Sequence, residues 1–234
     1  MITPRRKTKI VCTIGPSCFT QEGINNLLLH GMNVARINFS HGDYEIHERS
    51  IGFIRKAARE FNYSIPVLAD LQGPKIRVGQ MKDDGQVLVE DSEITLTSDQ
   101  IIGTSDYVPI DYDKLPQEAK VGNTILLDDG LLEFKVTKCL EKTLKVKVIV
   151  GGLLKSRKGV NLPNVKISIP ALTEKDQKDL EFAVKMDADY IALSFVRNPK
   201  EVIELKKLLK DLGSEAGVIA KIEKPEAVEC IDAI

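Results

Sequence analysis

The stretch Gly217-Val218-Ile219-Ala220-Lys221-Ile222-Glu223 starts as an apolar run and ends in a lysine and a glutamate two residues apart. Because the side chains of a β-strand alternate between two faces, we expect Lys221 and Glu223 on one face, roughly 7 Å apart along the backbone. Taken alone, such a pair is equally compatible with a structural ion pair and with part of a functional site. Four other apolar runs of the chain also end in polar residues, which favours a site.

The five apolar runs predict a parallel β-sheet covered on both faces, because they lack the alternation of a half-exposed strand. The predicted strands are 9–14, 33–39, 65–71, 189–195 and 217–222. Helical patterns separate them, with predicted N-caps at Thr20, Thr173 and Asn198. A further helix is expected to begin at Pro225 and to be cut off by the end of the chain.

The stretch from about 78 to 167 has a different pattern, with frequent glycine and proline. Residues 93–97 and 144–148 alternate between polar and apolar, and Asp129-Gly130 lies between two strand-like runs, as in a hairpin. We therefore expect a β-rich domain inserted between the third and fourth parallel strands. The predicted domains are 1–72 for the first part of a barrel domain, 73–168 for an inserted lid domain and 169–234 for the rest of the barrel domain.

The order of strands and helices favours a (β/α) barrel over a doubly wound sheet, because no glycine-rich nucleotide fingerprint follows the first strand. Five strands do not close an eight-stranded barrel. The predicted fold class is therefore α/β, a partial (β/α)8 TIM barrel with five of eight strands, interrupted by a small all-β lid domain. Because the last helical pattern has no terminal cap, we expect the chain to be part of a longer protein.

Composition excludes several classes of function. The 234 residues carry a net charge of -1, which gives no reason to expect binding to nucleic acid or to a membrane surface. No apolar run approaches the roughly 20 residues of a membrane span. The four cysteines lack metal-ligand spacing, as expected of reduced thiols in a cytoplasmic protein.

The ends of the predicted strands carry the residues that could do chemistry, because sites of such barrels form at the carboxyl ends of the strands. These residues are Arg36, Asn38 and Ser40, then Asp70 with Lys75 and Arg77, then Ser194, and finally Lys221 and Glu223. Cations next to oxygen ligands suit a highly anionic, phosphorylated substrate together with a hard metal ion such as Mg²⁺. Any phosphate site must use side-chain cations and metal, since neither a Walker A motif nor GxGxxG is present.

Each candidate also has a purely structural interpretation. Arg36 could equally form an ion pair at the rim of the sheet, and Asp70 could cap a turn. A histidine just before a helix, such as His41, is more often a capping or packing residue than a catalyst. In the inserted segment, 128–130 is typical of a hairpin turn and 157–159 of a solvated charge pair.

Five motifs in a fixed order resemble the pyruvate kinase family over the whole chain. They are KIVCTIGPS at 9–17, ARINFSHG at 35–42, DLQGPKIR at 70–77, KGVNLP at 158–163 and AKIE at 220–223. The resemblance implies an eight-stranded barrel interrupted by a small β lid and followed by a C-terminal α/β domain. It also implies a homotetramer for the full-length protein.

The resemblance implies transfer of the phosphoryl group of phosphoenolpyruvate to ADP, which gives pyruvate and ATP. On this basis Arg36 contacts the transferring phosphoryl group, Lys221 stabilises the enolate oxygen of pyruvate and Glu223 binds Mg²⁺ or Mn²⁺. The positions that match the nucleotide side are Asn38, Phe39, Ser40, His41, Arg77 and, from the lid, Lys158.

The potassium site of the family is altered in this chain. Many members bind K⁺ through side chains at the positions of Asn38, Ser40 and Asp70 and through one backbone oxygen. The residue that provides this backbone oxygen is usually threonine and is Leu71 in this chain. Those members carry glutamate where this chain has Lys75, whose ammonium group would itself supply the positive charge. The resemblance therefore implies an enzyme that does not require K⁺.

Two other functions stay open at this point. In the family, a second carboxylate that binds Mg²⁺ comes from the sixth strand of the barrel, which is not among residues 1–234. We therefore expect little kinase activity from these residues alone. The chain could then be a non-catalytic fragment that binds nucleotide or phosphoenolpyruvate. Another Mg²⁺-enolate barrel, such as a citrate-lyase-like or aldol-cleaving enzyme, is the second alternative, although the lid and Lys158 argue against it.

Overall fold

The computed structural model describes residues 7–163 and 165–234. The chain divides into two compact units. We call Met1–Pro74 with Pro170–Ile234 the barrel unit, and Lys75–Ile169 the inserted unit.

The elements of the two units follow one another in this order. The first part of the barrel unit contains β1 (Ile10–Thr13), α1 (Gln21–Leu29), β2 (Met32–Asn38), α2 (Tyr44–Glu60) and β3 (Val67–Asp70). The inserted unit contains β4 (Gln86–Leu88), β5 (Glu93–Thr97), β6 (Tyr107–Pro109), α3 (Leu115–Glu118), β7 (Thr124–Leu127), β8 (Leu132–Cys139), β9 (Thr143–Val150), β10 (Gly152–Leu154) and β11 (Val160–Asn161). The barrel unit resumes with α4 (Glu174–Lys185), β12 (Tyr190–Leu193), α5 (Pro199–Asp211), β13 (Gly217–Ala220) and α6 (Pro225–Glu229).

The sheet of the barrel unit has five strands in the order β1-β2-β3-β12-β13, and every neighbouring pair is parallel. The spatial order follows the chain order without a reversal, which distinguishes a barrel from a doubly wound sheet. The predicted fold class, a partial (β/α)8 barrel with five of eight strands, is confirmed. Four of the five strands are shorter than predicted, whereas β2 has the predicted length and begins one residue earlier. Lys221 and Glu223 lie just beyond the end of β13.

The predicted N-caps are confirmed. The Thr20 hydroxyl accepts a hydrogen bond from the Gly23 N–H at α1, and the Asn198 side chain accepts one from Lys200 N–H at α5. Thr173 and Asp176 form a capping box at the start of α4, as the sequence predicted. These bonds satisfy backbone donors that the first turn of a helix leaves unpaired.

Asp176 also reaches outside its own helix. Its Oδ1 accepts a hydrogen bond of 3.0 Å from the backbone N–H of Gly73, and Asp176 is buried. Its Oδ2 accepts from the N–H and the hydroxyl of Thr173. The chain immediately before the inserted unit is therefore tied to the chain shortly after it.

The expectation for the last helix was wrong. α6 begins at Pro225 as predicted but ends at Glu229, and a 3₁₀ turn, Ile231–Ala233, follows. The helix ends at Cys230, which has φ -124° and ψ 28°, outside the helical region.

The core of the barrel unit lies between the central strands and the helices. All four residues of β3 are buried, as are Ile191 and Leu193 of β12, against Ile24 of α1 and Leu205 of α5. The outer strands are less covered, and Val11 of β1 and Ile219 of β13 are exposed. Within the described ranges, no helix has the length and apolar character needed to cross a membrane.

The inserted unit is a β-structure with its own core. Its six-stranded sheet has the order β11-β7-β8-β9-β5-β6, and β10 pairs with β4. Leu144, Val146 and Val148 of β9 are buried while the lysines between them are not, which is the alternation that the sequence predicted. A 3₁₀ turn at Asp128–Gly130 joins antiparallel β7 and β8, so the predicted hairpin is confirmed.

Ile191→Ala is expected to lower the free energy of unfolding by about 2–5 kcal/mol, because it leaves a cavity at a fully buried position of a central strand. Ile203→Ala, at a position of α5 that is 64% exposed, is the matched control and should change stability by about 0.5 kcal/mol or less. Urea unfolding followed by circular dichroism measures both. Equal losses in the two variants would contradict the assignment of the core.

Candidate active site

Asp70, the last residue of β3, is the centre of a charged cluster at the carboxyl ends of the parallel strands. Its carboxylate is only 4% exposed and contacts two cations. Arg36 of β2 approaches Oδ2 with Nη2 at 2.5 Å and Nε at 2.7 Å. Lys221, just beyond β13, places Nζ at 3.2 Å from Oδ1. A buried carboxylate is stable only when it is paired, and here both partners come from other strands.

Lys221 is held by two further groups. Its Nζ donates to Ser194 Oγ at 2.8 Å and lies 3.4 Å from Glu223 Oε1. Ser194 in turn donates to the Leu71 carbonyl at 2.7 Å. The predicted same-face pair of Lys221 and Glu223 therefore forms an ion pair, within a network that also reaches β3.

Glu223 has one oxygen fixed and one facing the cations. The Phe195 N–H donates to Glu223 Oε2 at 2.8 Å, and Phe195 has a left-handed φ of 56°. The loop after β3 packs closely on this segment, since a Cβ at Gly73 would lie 3.0 Å from that of Ser194. Gly73 also has a left-handed φ of 67°. This conformation and the close approach to Ser194 both favour glycine at this position.

The donor set of this cluster fits an anionic ligand together with a hard cation. Arg36 and Lys221 remain partly exposed, so each can contact a ligand while Asp70 fixes its position. Glu223 is a partly exposed carboxylate, and Mg²⁺ is typically bound by one or two carboxylates, water and substrate phosphate. Among the described residues, no group of three or more His, Cys, Asp and Glu side chains is arranged to hold a metal by itself.

The segment from Asn38 to His41 follows β2 directly. Asn38 Oδ1 accepts from the Ser40 N–H at 3.0 Å, and the Phe39 N–H donates to the Asp70 carbonyl at 3.0 Å. The Phe39 ring is buried, so a ligand could contact only its backbone, whereas His41 is exposed. Asn38 and Asp70 are register partners in β2 and β3.

Two of the positions that match the family potassium site, Asp70 and Leu71, have oxygens that are engaged within the protein. Asp70 is shared by Arg36 and Lys221, and the Leu71 carbonyl accepts from Ser194. The Leu71 side chain is fully buried.

The other predicted residues belong to the inserted unit. Arg77 Nη1 donates to the Arg157 carbonyl at 3.0 Å, and Lys158 Nζ pairs with Asp128 Oδ1 at 2.8 Å. Lys75 is exposed and lies close to Gly159. The structure thus brings Lys75, Arg77 and Lys158 onto adjoining segments of this unit.

Sequence reasoning missed several residues that shape the cluster. Thr13, the last residue of β1, accepts a hydrogen bond of 2.7 Å from Arg36 Nη1. The strand-end rule that selected Arg36 would also have selected Thr13. His47 of α2 carried no such signal, yet it is buried with its ring centroid 4.7 Å from that of Phe39.

Comparison with known proteins identifies related sequences and structures. The family described as "Pyruvate kinase, barrel domain" matches residues 5–234. The pyruvate kinase of Corynebacterium glutamicum is 44% identical over 98% of this chain and 48% of its own length. That of Bacillus licheniformis is 44% identical over 98% of this chain and 40% of its own length. The chain thus spans about half or less of the length of these relatives.

A solved structure gives the same result for the fold. The crystal structure of a pyruvate kinase from Cryptosporidium parvum superposes with a TM-score of 0.91 at 35% identity. The superposition covers 98% of this chain and 48% of that one.

His47→Gln is expected to weaken the dependence of stability on pH. The pKa of His47 is lowered, mainly because the imidazole is buried. The negative charges of Asp179 and Asp43 partly oppose this shift of the pKa, and the positive charge of Lys175 adds to it. Below pH ~6.5 the unfolded chain binds a proton that the folded protein does not, so stability falls by at most about 1.4 kcal/mol per pH unit down to the folded-state pKa.

Urea unfolding at neutral and mildly acidic pH measures this effect. His30→Gln, which retains His47, is the control and should keep the loss of stability seen in the wild type. An unchanged loss in His47→Gln would show that His47 does not cause it.

Proposed function

Since the chain belongs to the pyruvate kinase family, we propose that its strand ends form part of an active site that transfers the phosphoryl group of phosphoenolpyruvate to ADP, giving pyruvate and ATP. The observation that supports this most directly is the pairing of Arg36 and Lys221 on the buried carboxylate of Asp70. Two polyanions must approach each other in this reaction, and fixed cations offset their repulsion.

Arg36 is proposed to bind the transferring phosphoryl group. Its Nε and Nη2 are occupied by Asp70 and its Nη1 by Thr13, so the guanidinium plane is fixed before substrate arrives. A cation that is already oriented does not have to reorganise as charge moves in the transition state.

Lys221 is proposed to stabilise the enolate oxygen that remains when the phosphoryl group leaves. Asp70, Ser194 and Glu223 hold its ammonium group from three directions. Phosphoryl transfer turns an ester oxygen into an enolate, so a cation at this atom acts more strongly on the transition state than on the ground state.

Glu223 is proposed as a ligand of Mg²⁺ or Mn²⁺. When bound, the metal would act as a Lewis acid that offsets the negative charge of the substrate. The hydrogen bond from Phe195 N–H fixes the carboxylate through Oε2, and Oε1 lies 3.4 Å from Lys221 Nζ.

The nucleotide side is proposed to consist of Asn38, the backbone of Phe39, Ser40 and His41, with Arg77 and Lys158 from the lid domain 73–168. A cytoplasmic location and a homotetramer for the full-length protein remain predictions of the family resemblance. Residues 1–234 alone are expected to turn over little substrate, because the family's sixth-strand carboxylate is not among them.

Lys221→Met in the full-length protein is expected to lower kcat for ADP-dependent release of pyruvate from phosphoenolpyruvate by roughly 10²–10³-fold, the cost of removing one transition-state donor. Lys206→Met, which removes a lysine from an exposed position of α5, is the control and should retain full activity. A coupled assay for pyruvate measures both variants. A wild-type protein without ADP-dependent turnover of phosphoenolpyruvate would favour the lyase alternative. Binding of nucleotide or phosphoenolpyruvate by residues 1–234 without turnover would favour a non-catalytic fragment.

Omission of K⁺ is expected to leave activity unchanged, because the ammonium group of Lys75 takes the place of the monovalent cation. Lys75→Glu should convert the enzyme into one that K⁺ activates. Initial rates in Na⁺ and K⁺ buffers of equal ionic strength test this for both proteins. The proposal fails if the wild type is inactive without K⁺ and is rescued by its addition.

A further inference from the structure

Asp179 of α4 is a second buried carboxylate, distinct from Asp70, and both of its side-chain partners lie at the protein surface. Its side chain is only 1% exposed. Oδ1 accepts a hydrogen bond of 2.8 Å from the Tyr44 hydroxyl, and Oδ2 lies 2.5 Å from Lys175 Nζ. The carboxylate is therefore paired on both oxygens, as burial requires.

Lys175 connects this carboxylate to the backbone at the end of β2. Its Nζ also donates to the Phe39 carbonyl at 2.7 Å. Phe39 lies in the segment Asn38–His41, which follows β2 and belongs to the proposed nucleotide side. An i,i+4 ion pair on a helix surface would stabilise α4 alone, whereas this ammonium group fixes a distant loop.

Aromatic groups from the same two helices support this segment. Phe39 packs against His47 of α2 and Phe182 of α4, with ring centroids 4.7 Å and 6.1 Å away. Tyr44 stacks on Phe182 at 4.6 Å, which holds its hydroxyl at Asp179. These contacts hold the Asn38–His41 segment on the face that packs against α2 and α4.

The Tyr44 hydroxyl stays a donor at neutral pH. Burial, followed by the hydrogen bond to Asp179 and the negative charge of Asp179, raises the pKa of Tyr44 to about 12. The hydrogen bond from Tyr44 to Asp179 is therefore kept over the physiological range.

We propose that Lys175 and Asp179 are positioning residues that hold the Phe39 carbonyl and thereby preorganise Asn38–His41 to receive a nucleoside diphosphate. The nucleotide part of this inference rests on the proposed function, whereas the positioning of the segment does not. Neither residue contacts substrate in this scheme. They act through the backbone at the end of β2.

Lys175→Met in the full-length protein tests the inference by two measurements. Loss of a charged hydrogen bond should accelerate amide hydrogen exchange of the 39–41 segment about tenfold. It should also raise KM for ADP, with kcat and KM for phosphoenolpyruvate much less affected. Lys178→Met, which removes an exposed lysine of the same helix, should change neither, and Lys175→Arg should restore both.

Tyr44→Phe provides a milder variant if Lys175→Met does not fold. It removes only the hydroxyl bond to Asp179 and should accelerate exchange of the same amides to a smaller extent. Exchange in Lys175→Met or Tyr44→Phe no faster than in Lys178→Met would overturn the positioning role. Faster exchange with an unchanged KM for ADP would overturn the nucleotide part. A wild type without ADP-dependent turnover would instead contradict the proposed function and leave the exchange result to decide the positioning role.

Discussion

The pairing of one buried carboxylate with two cations determines how the site of this protein is built. Asp70 lies on the third strand, and its partners are Arg36 on the second strand and Lys221 just beyond the end of the fifth. Leaving such a carboxylate unpaired would cost about 3–5 kcal/mol. The geometry of the site and the order of the strands therefore depend on each other, since the ion pairs form only when β2, β3 and β13 end at one edge.

Helix α4 also contains buried carboxylates that are paired with distant parts of the chain. Its first two turns contain two of them, Asp176 and Asp179. Asp176 binds the loop after β3 directly, whereas Asp179 is connected through Lys175 to the loop after β2. Loops are usually the most mobile parts of a fold. Here, two carboxylates buried on one helix hold the backbone of two such loops, so part of the geometry at these strand ends is set by residues outside the cluster around Asp70.

The sequence allowed the strands, the caps and the main charged residues to be predicted because these depend on local pattern. Apolar runs identified the five strands, and Arg36, Asp70, Lys221 and Glu223 followed from their positions at strand ends. The roles of Lys175, Asp179 and His47 could not be predicted, because each depends on a contact with a residue far away in the chain. The premature end of α6 was missed for a different reason, since proline at its start marks where a helix begins but not where it ends.

The bonds of Asp176 to Gly73 and Thr173 have a consequence for how this architecture can change over time. The bond to Gly73 joins, within the barrel unit, the two stretches of chain that flank the inserted unit, so their spacing does not depend on what lies between them. The entropy of closing a loop grows only slowly with its length. Residues can therefore be gained or lost within Lys75–Ile169 with little effect on the parallel sheet, which gives this domain a freedom to diversify that the barrel strands do not have.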